Sequence, residues 1–159
     1  MNRIKASHSF NTAKTCGVVF NATNKDIYEK ARRLIAYIHD HDIKVDAVGY
    51  VHKRELMNFF LPQKNIDYFS RSNLNIIGIP NNPYIKDFIN KKFDLLIDIC
   101  MDEYFPVEYI VSLSKATCKV GRQLPCCDYY DLMINIGTSN DLDYFISQIK
   151  YYLSIINDK

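Results

Sequence analysis

Short apolar runs alternate with longer segments whose apolar residues recur every three or four positions, and this alternation governs how the chain reads. Cys16-Gly-Val-Val-Phe20 is apolar throughout and stops at the polar turn Asn21-Ala-Thr-Asn24. Behind that turn, Ile27, Ala31, Leu34, Ile35 and Ile38 fall on one helical stripe. Thr23 is placed to cap this helix, and Asp26 suits its positive end. His39-Asp-His-Asp42 closes the helix, and Val45 to Val51 reads as a second strand. Strand, helix, strand makes a βαβ unit, which crosses over right-handedly into a parallel pair.

The middle is less regular. Arg54 to Leu61 predicts a short helix stopped by Pro62, and Asp67 to Ser70 and Leu74 to Ile79 predict brief strands. Asn82 as cap and Pro83 as first helical residue open a helix that ends near Asn90. Phe93 to Ile99 is a strand apolar on both faces, as the centre of a parallel sheet requires. A helix from Pro106 to Lys115 turns Val107, Ile110, Val111 and Ser114 to one side. Cys118 to Gly121 is a short strand, Leu124 to Asp128 a loop, and Tyr130 to Ile136 another apolar strand. Asn140 is the expected cap of a last helix striped by Leu142, Phe145, Ile146, Ile149, Tyr152, Leu153 and Ile156. FDLLIDI and YDLMINI resemble each other, but the likeness stops at the strands, so they are two uses of one buried-strand pattern and not a duplication. The expected fold is a Rossmann-like three-layer α/β/α sandwich with a mainly parallel sheet of five to six strands. It occupies residues 16–159 as one domain behind a lead-in of residues 1–15.

Composition narrows the function classes. The 159 residues are 48% hydrophobic and 24% charged, proportions that suit one globular core. Twenty Lys and Arg against 18 Asp and Glu leave a formal charge of +2, with no basic tail, so no nucleic-acid partner is expected. The longest apolar stretch, around Phe93 to Met101, is broken by Asp94 and Asp98 and falls short of the roughly 20 residues that span a bilayer. No secretory signal reads from Met1 to Thr15, and no membrane association is expected. Cys16, Cys100, Cys118, Cys126 and Cys127 are odd in number and match no zinc spacing. Free thiols in a reducing compartment explain them, which points to the cytoplasm.

The stretches FNATNKD, DYFSRSNLN, NPYIKDFIN, FDLLID, YFPVEYIVSLSKA, KVGR, YYDLMI and YFISQIKYYLSIIN together resemble a small bacterial family of short stand-alone proteins of unknown function. The resemblance runs from Gly17 onward and implies no activity, ligand or catalytic residue. FDLLIDICMDEYFPVEYIVSLSKATCKVGR is similar to a strand-helix-strand block in the N-terminal domain of the lipopolysaccharide heptosyltransferases. That second resemblance covers about 30 residues and implies a Rossmann-like sheet. The Asn21–Asn24 turn lacks that family's Gly-Asp, although Asp26 lies nearby, and no second domain to grip a sugar nucleotide is expected within these 159 residues. The transferase activity is therefore not expected to carry over.

Ligands of open parallel sheets bind outside the carboxyl ends of the strands, where the strand order reverses. In a Rossmann order that point brings Asn21, Thr23 and Asn24 opposite Asp98, Met101 and Asp102. The free N–H groups that begin the Asp26 helix suit a phosphate or carboxylate, although simple capping accounts for Thr23 and Asn24 as well. Asp98 interrupts an apolar strand, and a buried carboxylate needs a partner. It reads as a base, a ligand contact, or an acceptor for the loop behind it. His52, Lys53 and Arg54 follow the second strand and, with Arg71 and Arg122, offer an electropositive rim. His39 and His41 complement a helix end. Cys126-Cys127 has no accompanying ligand set. No phosphate loop, dinucleotide fingerprint, nucleophile elbow or HExxH pattern is present. No catalytic residue, metal or cofactor is therefore assigned.

The expected function is a non-catalytic domain that binds a small anionic ligand or a protein partner through Asn21, Thr23, Asn24, His52, Asp98, Asp102 and Arg122. A glycosyltransferase-like enzyme, with Asp98 or Asp26 as base and Arg122 near the ligand, is the alternative. A structural or interaction protein that pairs as a homodimer through Tyr144, Tyr151 and Tyr152 is a third reading.

Overall fold

In the computed structural model, which describes residues 3–60, 63–125 and 127–156, the apolar runs form six strands. These are β1 (Thr15–Asn21), β2 (Lys44–Val51), β3 (Ile66–Ser70), β4 (Leu95–Asp98), β5 (Cys118–Arg122) and β6 (Leu132–Ile134). They pair in the order β3-β2-β1-β4-β5-β6, and every pair is parallel. This is the Rossmann order, with its reversal between β1 and β4. Four helices cover the sheet: α1 (Lys25–His39), α2 (Pro83–Asn90), α3 (Phe105–Leu113) and α4 (Leu142–Ile155). Residues of α1 and α4 share one core with Val18, Phe20, Ile97 and Val120. Residues of α2 and α3 share a second core, on the opposite face, with Val19, Val48, Tyr50 and Leu96. Strands buried on both faces explain why Cys16–Phe20 and Leu95–Asp98 read as continuous apolar runs and not as alternations. Ahead of β1, Phe10 and Ala13 enter the first core, and the Phe10 N–H donates to Leu153 O at 2.9 Å. Among the described residues no helix is long and apolar enough to cross a membrane.

Several expected elements change. Asn24, not Thr23, caps α1: its Oδ1 accepts from Asp26 N at 2.7 Å and from Ile27 N at 3.4 Å. Asp141, not Asn140, caps α4 by accepting from Asp143 N. Asn82 makes no capping bond and instead donates to the Tyr84 hydroxyl. Residues 54–60 form bends and no helix, because Phe59 and Phe60 turn inward onto the Tyr28 ring, with centroids at 5.3 and 5.2 Å. Leu61 and Pro62, which would have ended that helix, lie outside the described residues, as does Cys126. Leu74 to Ile79 is a tight hairpin and not a strand. It is closed by a Leu74–Pro80 bridge and turned by Gly78 at φ +86°, a conformation glycine adopts without strain. The last strand is confined to three residues, and Tyr130 leaves it to serve another purpose.

Candidate functional site

At the β1/β4 reversal the structure draws three of the expected residues, Asn21, His52 and Asp102, around one that the sequence reading left out. Asn21 is buried at the end of β1, and its Oδ1 accepts from Thr23 N at 3.0 Å. Thr23 Oγ1 in turn accepts from His52 N at 2.8 Å, tying the β1 turn to the end of β2. The His52 ring stacks on Tyr104, with centroids 4.4 Å apart and planes 24° from parallel. Tyr50 meets Tyr104 edge-on at 5.4 Å. Burial raises the pKa of the Tyr50 phenol, so it stays a donor, and it faces His52 Nδ1 at 2.9 Å. The Tyr104 hydroxyl lies beside Asn21 and Asp102. Burial first and the Asp102 carboxylate after it push that phenol up, while Asn21 opposes them. Asn21, His52 and Asp102 thus share one neighbour, Tyr104, and Thr23 joins them through its bonds to Asn21 and His52. Asn24 stands apart as the helix cap.

Asp98 and Arg122 are committed elsewhere. Asp98 Oδ1 accepts from Cys100 N at 2.9 Å, and Oδ2 accepts from the Tyr130 hydroxyl at 2.5 Å. Burial raises the Asp98 pKa, and these bonds pull against it. Burial and the adjacent Asp98 charge drive the Tyr130 phenol far up, so it remains a donor. The same burial pushes the Cys100 thiol well up. Tyr130 reaches Asp98 because Gly121 has no side chain: a Cβ there would lie 2.2 Å from the Tyr130 ring. Arg122 Nη2 donates to Met101 O at 2.7 Å, fastening the end of β5 to the loop behind β4. Asp26 is exposed on the first turn of α1, where Lys30 bridges it at 3.0 Å to Asp143 at 3.1 Å. Asp26, Asp98 and Arg122 therefore have no shared contact. Among the described residues no three His, Cys, Asp or Glu side chains are grouped to hold a metal ion.

Two further groups escaped the sequence reading. Lys119 is buried under α3, where its Nζ donates to Ser112 O at 3.0 Å, and burial pushes its pKa down to about 8. A lysine within a strand carries no warning that it will answer the carbonyl end of a helix. The Leu74–Pro80 hairpin exposes Ile76 completely, at 102%, and Ile77 at 67%, beside Phe105 at 54%. The Asn75 side chain holds the tip by accepting from Ile77 N and Ile79 N, each at 3.0 Å. Arg71 N donates to Lys53 O at 2.9 Å, and the Ser70 hydroxyl donates to Arg54 O at 3.0 Å. The hairpin therefore grows from a base that carries three exposed cations.

The strand order and the crossovers define a Rossmann-like α/β protein. The chain belongs to a family of unknown function (DUF6913), whose model matches residues 1–156 of the 159. No curated protein and no solved structure matches the chain.

Proposed function

We propose that the chain is a non-catalytic binding module that docks a protein partner at the rim formed by the carboxyl ends of its strands. One observation carries this reading: two adjacent isoleucines, Ile76 fully and Ile77 two-thirds exposed, stand in water on a hairpin braced by Asn75 and Gly78. Single exposed apolar residues are ordinary, but a rigid apolar tip beside Phe105 leaves unburied a surface that a partner's cleft can cover. The tip is already ordered, so docking loses little conformational freedom. Arg54, Arg71 and Lys53 make no ion pair with a described residue, so the matching cleft is bordered by carboxylates. The polar groups around Tyr104 hold the rim in shape beneath the hairpin.

Site-specific photo-crosslinking in the producing cell tests this. A crosslinker at position 77 is expected to give a discrete adduct that disappears in Phe105→Ser, whereas one at Glu29 gives none. Identical patterns at both positions would overturn the docking role.

A further inference from the structure

Every helix here returns against its neighbouring strands, so the amino ends of the strands meet the carboxyl ends of the helices. At that end, opposite the rim, a groove of about 740 Å³ separates the last turns of α1 from the residues leading into β3. Ligand sites usually occupy some 300–1,000 Å³. Two smaller hollows, of about 390 and 190 Å³, share Lys44 and Asp46 with it, and the second reaches Lys91 and Lys92. The result is a trough across the starts of β3, β2, β1 and β4.

The charges in the trough are not evenly answered. The Asp46 carboxylate accepts from Lys91 Nζ at 2.7 Å and is thereby neutralised. Arg32 Nε donates to Gln63 Oε1 at 3.2 Å and its guanidinium carbon lies 5.6 Å from the Tyr28 ring centroid, so the group is held in place while neither Nη pairs with a described acid. Lys44, Lys64 and Lys92 form no ion pair with a described residue. The remaining acids are Asp40 and Asp42, both in the α1–β2 turn.

Cations near a helix carboxyl end usually complement its dipole. Here that explanation meets an end already satisfied. Ala36 O accepts from Asp40 N, Tyr37 O from His41 Nδ1, Ile38 O from His41 N and His39 O from Asp42 N. Lys119, whose Nζ donates to Ser112 O, shows what a lysine bound to a helix end looks like in this fold. Lys44 and Lys64 have no such acceptor among the described residues.

We propose that this groove binds a small phosphorylated ligand, its phosphate held by Arg32, Lys44 and Lys64 and its organic body resting against Ile35 and Ala36. The arrangement joins a planar two-donor cation with two point charges, which is how proteins commonly hold phosphate. The site is independent of the docking rim, at the other end of the sheet.

The test uses the whole chain with inorganic phosphate, pyrophosphate and a nucleoside monophosphate, each compared with sodium chloride at matched ionic strength, by thermal shift and calorimetric titration. Saturable stabilisation by a phosphorylated probe, weakened at least tenfold in Lys44→Ala/Lys64→Ala and retained in Lys115→Ala, is the expected result. Circular dichroism checks that the double variant folds, and Arg32→Gln tests the same site by a second route if it does not. No saturable response, a response matched by sodium chloride, or one that survives both variants would overturn the proposal. Equal affinity for pyrophosphate and the nucleotide would remove the part assigned to Ile35 and Ala36.

Discussion

Replacing Tyr130 with Phe removes one oxygen and leaves the ring on Gly121 undisturbed. Asp98 Oδ2 then loses the hydroxyl that donates to it at 2.5 Å, inside a site where Asp98 is only 5% exposed. A hydrogen bond to a charged group contributes about 1.5–3 kcal/mol, and one between neutral groups about 1 kcal/mol. The loss should therefore depend on the charge that Asp98 carries. Burial holds the folded pKa of Asp98 above its ordinary value, and the Tyr130 bond favours the ionised form. Removing that bond raises the folded pKa further. With a raised folded pKa, the neutral carboxyl is the favoured folded form at low pH, and the penalty for ionising it grows as pH climbs through that pKa. The destabilisation by Tyr130→Phe is accordingly about 1.5–3 kcal/mol where Asp98 is ionised and keeps only the Cys100 N–H as a partner, and about 1 kcal/mol where it is protonated. Urea unfolding of both proteins at intervals from pH 7 down to pH 4 measures it. A difference that never exceeds about 0.5 kcal/mol at any of these pH values would refute the pairing of these two side chains.

Gly121→Ala places a methyl 2.2 Å from the same ring, and an overpacked core loses about 1–3 kcal/mol, which at this size lowers Tm by roughly 2–4 °C per kcal/mol. Combined with Tyr130→Ala, the change should cost less than the sum of the two, and strict additivity would argue against the contact. Asn24→Ala should remove about 1 kcal/mol as a lost cap, whereas Thr23→Val should leave α1 intact and loosen the His52 loop in hydrogen exchange. The folded pKa of Lys119 is depressed to about 8 from 10.5, so the unfolded chain binds more protons between those values. Stability relative to Lys119→Met should consequently rise with pH from about 8 to about 10, and a flat difference would show that Lys119 is not desolvated.

The supersecondary pattern was legible wherever burial on both faces imposes an uninterrupted apolar run. Cys16–Phe20 and Leu95–Asp98 announced the sheet centre, and the α1 stripe from Ala31 to Ile38 lies wholly in the core. Legibility failed where a side chain works across the sheet. Tyr130 reads as part of a strand in YDLMINI, yet it leaves the ladder to cover Gly121 and reach Asp98, a partner 32 positions away. Phe59 and Phe60 belong to the aromatic group around Tyr28, so their spacing imitated a helix without forming one. Leu74 to Ile79 looked like a strand because isoleucine favours strands, but Gly78 and the Asn75 side chain settle it as a turn. For the candidate site, topology alone places Asn21, Thr23, His52 and Asp102 near the β1/β4 reversal. Tyr104 was missed because nothing in YFPVEY marks its ring as the surface on which His52 lies.

The placement of β1 has a consequence for how the molecule comes into being. Thr15 can meet Lys44 early, but Cys16 cannot meet Leu95 until some eighty residues have been made, and no two consecutive strands can zip together as a simple antiparallel ribbon. Synthesis therefore holds a central strand half-finished, with one flank open to any neighbouring chain, until the second half emerges. A product cut short before Leu95 would keep that flank permanently bare, and clumping is its natural fate.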